Sequence, residues 1–260
     1  MSRESMEWSL VTGGGTGLGR ALALALAARG QRVIITGRRP GPLEATATAA
    51  PDGAVVPVPA DVAQEEGRQR IGQAVDQHAP NGLRFLIHNA GTIDPIGPLT
   101  ELDPEQWRRS QAINVEGPLF LTRSLLSRLP AGSRVLHISS GAAHSPIPGW
   151  GAYCTAKAAL HMLYQCLDGE LRDRGIRVGS LRPGVVDTPM QAHIRASSEA
   201  AFPLVERFRA LHREGELRSA EEVADFACWV LSATDDDRYA SSEWNISDPE
   251  QTRDWQRSPG

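Results

Sequence analysis

Short apolar runs recur along this chain with a helical stretch after nearly every one, and that alternation restricts the fold more than any other feature. The runs lie at 8–11, 32–36, 54–58, 83–87, 134–139 and 177–181, with a short last one at 244–246. No two-residue hairpin signal joins any run to the next, so the connections read as crossovers. Crossovers build a parallel sheet whose two faces must be covered by helices. The stretch Arg20 to Arg29 is apolar on nearly every side, as a helix lying on a sheet is, and Gly30 stops it. Further helices are expected from after Val62 to Gln77, from 152 to Arg174 and from the capping box Ser219–Glu222 to Ser232. Asp103, Pro104 and Gln106 combine an acidic N-cap, a first-turn proline and a capping glutamine, which predicts one helix running on to Leu129.

The expectation is therefore an α/β fold, a Rossmann-type doubly wound parallel sheet with helices on both faces. The 260 residues carry no repeat, low-complexity tract or linker, so they read as one domain over 1–260, with 248–260 a polar, irregular tail. Basic and acidic residues nearly balance (27 Lys+Arg, 31 Asp+Glu) and the basic ones are dispersed, so no footprint for nucleic acid is visible. The longest apolar stretch, Ala21 to Ala28, is too short to span a bilayer, and Met1 to Glu7 is polar rather than leader-like. Cys154, Cys166 and Cys228, odd in number, read as reduced thiols of a cytoplasmic protein. No Cys or His cluster has metal-ligand spacing, so no metal is expected.

Chemistry gathers where the runs end. The first opens into Thr12–Gly19, with glycines at 13, 17 and 19; such a turn lets backbone approach a pyrophosphate at a helix N-terminus. After the second run, where an acidic residue would take ribose hydroxyls, stand Arg38 and Arg39, whose guanidinium groups suit a 2′-phosphate. Asp61 and Asn89-Ala90-Gly91 end the third and fourth runs at the same sheet edge, and Pro183-Gly184 follows the sixth. Asn114 falls mid-helix, where asparagine either bonds locally or kinks the helix. Tyr153 and Lys157 lie one turn apart on one helix face. An ammonium beside a phenol lowers a pKa otherwise about 10, which suits Tyr153 to general acid–base work. Ser140 ends the fifth run, in position to share a substrate oxygen with that phenol.

Together these residues resemble the short-chain dehydrogenase/reductase family from Trp8 to Ile246: T-G-x-x-x-G-x-G at 12–19, Asp61-Val62, N-A-G at 89–91, Asn114, Ser140, Y-x-x-x-K at 153–157 and P-G-x-x-x-T at 183–188. His88 replaces the first Asn of the frequent N-N-A-G run. The resemblance implies cofactor contacts from Gly13, Gly15, Thr16, Gly17, Leu18 and Gly19, then from Arg38, Arg39, Asp61 and Val62. It adds Asn89, Ala90 and Gly91 from the fourth run, and Pro183, Gly184, Val186 and Thr188 from the sixth. It implies hydride transfer from NADP(H) to a carbonyl carbon, with Tyr153 protonating the oxygen and Ser140 hydrogen-bonding the developing alkoxide. Lys157 would lower the phenol's pKa and bind ribose hydroxyls, and Asn114 would hold a water in a relay to Lys157.

Locally, Gly149-Trp150-Gly151-Ala152-Tyr153 and Asp187–Gln191 look like the sepiapterin and benzil reductase branch. Its pterin-reducing members usually carry an acidic residue near the C-terminus, for which Asp248 is the nearby candidate. Substrate contacts are expected from Ile93, Ala142, His144, Trp150 and Met190, an apolar set that fits a ketone, diketone or flat heterocyclic carbonyl compound. Arg195, Arg207 and Arg209 read as solvated. Two other readings stand beside the reductase: a non-catalytic NADP-sensing protein, and a reductase of carrier-bound 3-oxoacyl chains, which would want a basic patch such as Arg207-Phe208-Arg209. Leu121, Leu125, Leu160 and Leu163 lie beyond single stripes of their helices, which predicts a homodimer or homotetramer.

Overall fold

A computed structural model describes residues 8–258; the polar segment Met1 to Glu7 lies outside them. Seven strands form one sheet: β1 (Trp8–Thr12), β2 (Arg32–Gly37), β3 (Val55–Pro59), β4 (Leu83–His88), β5 (Arg134–Ile138), β6 (Arg177–Arg182) and β7 (Trp244–Asn245). Their order is β3-β2-β1-β4-β5-β6-β7 and every neighbouring pair is parallel. This is the expected doubly wound, Rossmann-like sheet. The order reverses between β1 and β4, so the loops leaving those strands part and open a crevice at the carboxyl edge.

The strand residues alternate between two cores. Val11, Val33, Ile35, Phe85 and Ile87 face one side with α1 (Gly17–Ala28), α2 (Pro40–Ala49) and α9 (Ala220–Ala233). Leu10, Ile34 and Leu86 face the other with α3 (Glu65–His78), α5 (Gly117–Ser124) and α6 (Gly151–Leu171). A period of two with both faces apolar is what a sheet covered on two sides requires. Each fully buried Leu or Ile contributes roughly 1.5–3 kcal/mol.

Two expectations are corrected. The helix expected from 104 to 129 is broken: α4 (Pro104–Gln111) passes through a π-turn at Ala112–Glu116 into α5 (Gly117–Ser124) and a final 3₁₀ turn, Leu126–Arg128. Pro118 breaks the ladder, because it has no N–H to give the Asn114 carbonyl four residues back. The tail is not irregular either. Asp248 caps α11 (Pro249–Arg257), accepting from the amides of Glu250 and Gln251. Trp255 lays that helix on Phe226 and Ser258 accepts from the Trp229 indole. Three further helices not expected from the sequence, α7 (Pro189–Arg195), α8 (Val205–Arg213) and α10 (Asp236–Ser241), occupy the stretches between β6 and β7. Among the described residues no helix is long and apolar enough to cross a membrane.

Candidate active site

A cavity of about 750 Å³ follows the carboxyl edge from the glycine turn to the α6 N-terminus. At its first end, Gly13 holds φ +70° and a Cβ on Gly19 would lie 2.2 Å from the Gly13 carbonyl oxygen. Only bare backbone fits there. Thr16 caps α1 in an extended conformation and makes no side-chain cap bond, so first-turn N–H groups remain for an anion. Thr12 Oγ1 accepts from the amides of Asn89 and Ala90, and the Asn89 side chain donates to the Thr12 carbonyl. Asn89 therefore braces the turn against β4. The turn also meets Thr188, which would lie 3.1 Å from a Cβ on Gly17. This cradle fits a dinucleotide pyrophosphate.

Gly15, Thr16, Gly17, Leu18, Arg38, Arg39, Val62, Ala90 and Gly91 line the same cavity, as do Pro183, Gly184 and Val186. No carboxylate follows β2 before Glu44. Asp61 lines the wall too, paired with Arg109 and accepting from the Ala63 amide. Burial pushes its carboxyl up, but Arg109 and that amide outweigh burial and hold it below the ordinary carboxylate range.

At the other end Ser140 leaves β5 and caps a 3₁₀ turn, its hydroxyl accepting from the Ala142 amide. Tyr153 and Lys157 rise from the first turns of α6, both buried. Burial raises the Tyr153 phenol and a hydrogen bond from Ser140 opposes it, which leaves it pushed up to about 12. Burial brings the Lys157 ammonium down to about 8. Its Nζ donates to the Ile138 carbonyl at 2.7 Å and lies 5.5 Å from the Tyr153 ring centre. The net displacement of the phenol is upward, and the contact that lowers it is Ser140 rather than the Lys157 expected from the spacing. Asn114, 1 % exposed, accepts from the Thr92 amide and donates to the Thr92 carbonyl, each at 3.0 Å. A Cβ on Gly91 would lie 3.0 Å from Asn114 Oδ1 and 4.0 Å from Lys157 Nζ, so these groups converge.

The wall beyond Tyr153 is apolar. Ile93, Ala142, Trp150 and Met190 all line it, together with Ile147, Ile194 and Phe208. Trp150 stands edge-on to Tyr153 and stacks on the fully buried Phe202 at 4.7 Å. His144 does not belong to this wall; its Nε2 lies 2.6 Å from Glu243, outside the cavity. Asp248 is also outside the wall, spent as the α11 cap. Arg207 is exposed, as expected of a solvated residue, and also lines the cavity beside Phe208 and Leu211. The signal for this helix was present: Val205, Phe208 and Leu211 recur at helical spacing. No metal-ligand spacing exists in the sequence, yet the fold gathers His144, His161 and Glu243.

The model of the short chain dehydrogenase family matches residues 7–199. The chain is a short-chain dehydrogenase. As such it is an oxidoreductase acting on the carbonyl–hydroxyl pair with a nicotinamide cofactor, and the non-catalytic sensor reading gives way. It is 34% identical over 228 residues to benzil reductase ((S)-benzoin forming) of Bacillus subtilis (strain 168), covering 84% of this chain and 90% of that one. The same-named enzyme of Bacillus cereus is 41% identical over 144 residues, 54% of this chain and 58% of the relative, so the match spans little more than half of that protein. Sepiapterin reductase of Meriones unguiculatus is 37% identical over 224 residues, 80% of this chain and 84% of the relative. The crystal structure of the KRED1-Pglu enzyme superposes with a TM-score of 0.84 at 28% identity, covering 93% of this dehydrogenase and all of that chain.

Proposed function

We propose that this dehydrogenase is an NADPH-dependent carbonyl reductase acting on an apolar ketone, a diketone or a flat heterocyclic carbonyl compound. The observation that carries the cofactor choice is the pair Arg38 and Arg39 on the cavity wall just past β2, with no carboxylate in the chain between them and Glu44. The aromatic wall of Trp150 and Phe208 supports the substrate class, as do the names of the benzil and sepiapterin reductase relatives. A bound nicotinamide dinucleotide supplies the hydride. Tyr153, kept protonated by burial, gives its phenolic proton to the carbonyl oxygen, and Ser140 donates to the same oxygen as charge develops there. Lys157 returns a proton to Tyr153. Asn114 supports the chain behind Lys157, since its carbonyl receives nothing from Pro118 and is left for a water.

Arg207 on the wall keeps one other substrate class in view, a carrier-bound 3-oxoacyl chain, whose phosphate-bearing arm a guanidinium would meet. Three free thiols fit work in the cytoplasm. The test is NADPH consumption with benzil, other 1,2-diketones, quinones, aldehydes, sepiapterin and a 3-oxoacyl thioester. NADH, Tyr153→Phe and Arg38→Asp are measured alongside. Diketone turnover that prefers NADPH, collapses in Tyr153→Phe and loses the cofactor preference in Arg38→Asp is the expected result. Equal use of NADH overturns the cofactor assignment, and turnover confined to the thioester moves the substrate to the other class.

A further inference from the structure

We propose that His144, His161 and Glu243 form a binding site for one divalent transition-metal ion outside the catalytic cavity. The three come from separate elements: the loop after the Ser140 turn, the middle of α6 and the residue before β7. Their ligating atoms all lie within 4.8 Å of one another. His144 Nε2 is 2.6 Å from one carboxylate oxygen and His161 Nδ1 is 3.3 Å from the other. The two rings meet edge to face with centres 4.6 Å apart.

Two imidazoles and a carboxylate are the donor set of an open zinc-type site, leaving a fourth position for water. Outer-shell groups that orient such ligands are in place. Ser180 donates to Glu243 Oε1 at 2.8 Å. Gln165 lies 3.4 Å from His161 Nε2; with an ion on Nδ1 the ring proton sits on Nε2 and the amide turns its oxygen to accept it. The Glu243 side chain is 7 % exposed, while His144 at 36 % and His161 at 22 % leave a way in from solvent. Arg182, 3.3 Å from Glu243 Oε2, opposes a dication and keeps the affinity below that of a site with four protein ligands. None of the three ligands lines the catalytic cavity. The ion acts as a staple joining the Ser140 loop to α6 and β7, held by residues that do not line the cavity.

The test uses untagged, chelator-stripped full-length protein titrated with Co²⁺, Zn²⁺ and Mg²⁺. One equivalent of Co²⁺ should bind with the visible absorption of a low-coordinate site, and Zn²⁺ should displace it. At a hundredfold excess over Kd, Zn²⁺ should raise Tm by roughly 5–10 °C, and Mg²⁺ should do nothing. Both effects should vanish in His161→Ala and in His144→Gln, which keeps a hydrogen bond to Glu243 but loses the ligand. They should persist in His193→Ala, whose ring pairs with Asp94 elsewhere. Circular dichroism of the metal-free variants checks that they fold. No stoichiometric binding to the parent, or undiminished binding by His144→Gln, overturns the proposal.

Discussion

Tyr153 and Lys157 are both displaced from their values in water by burial, in opposite directions that each favour the neutral side chain. A phenol pushed up to about 12 stays protonated across the neutral range, so the reducing direction always has its proton donor. The oxidising direction needs phenolate, and its rate should climb with pH. Because Ser140 is the contact that lowers the phenol, Ser140→Ala should move that alkaline rise to higher pH and cut turnover roughly 10²–10³-fold; pH–rate profiles in both directions check this. Lys157 titrates at about 8 in the folded chain against an ordinary 10.5, so between those values the unfolded chain binds more protons. This group's contribution to stability therefore rises with pH across that window. Lys157→Met should abolish turnover yet melt at or above the parent temperature at neutral pH, with the difference shrinking as pH rises from 8 to 10.5. Paired melting curves measure it.

At the scale of elements, the caps decide where helices begin. Asp103-Pro104 with Gln106 and Asp248-Pro249 with Gln251 carry the same signal, and both open helices. The second was missed because the tail around it is polar and offers no apolar stripe; tertiary contact through Trp255 stabilises what the local pattern leaves marginal. Asp248→Ala should cost about 1 kcal/mol, read from urea unfolding, without loss of turnover, since its carboxylate caps α11 and does not face the cavity. The π-turn at Ala112–Glu116 belongs to the same class of local device. Asparagine and proline four residues apart mark it, and the periodicity of the surrounding helix conceals it.

For the whole molecule, the residues that first spoke for self-association are spent internally. Leu121, Leu125 and Leu160 are buried in this chain's own cores. What α6 presents to solvent instead is Ala158, Ala159, Met162 and Cys166, with Met162 58 % exposed. A second copy pairing along that stripe is the arrangement we expect, giving a dimer or tetramer by light scattering. Met162→Glu should shift it toward monomer, and a monomeric parent at micromolar concentration would refute the pairing.

The amino-acid sequence by itself determined the parallel sheet, the glycine turn, the arginines past β2 and the Ser140–Tyr153–Lys157 spacing, because each rests on residues within a few turns of one another. Periodicity, turn residues and i,i+4 spacing are local quantities. Tertiary structure alone decided which group governs the Tyr153 proton, since desolvation depends on everything packed around the ring. It alone turned His144 from the cavity onto a carboxylate 99 residues away, and brought Arg207 from an outwardly polar helix to the cavity wall. Contacts between residues that distant in the chain form only when the sheet order brings their loops to one edge, and no spacing along the sequence records that.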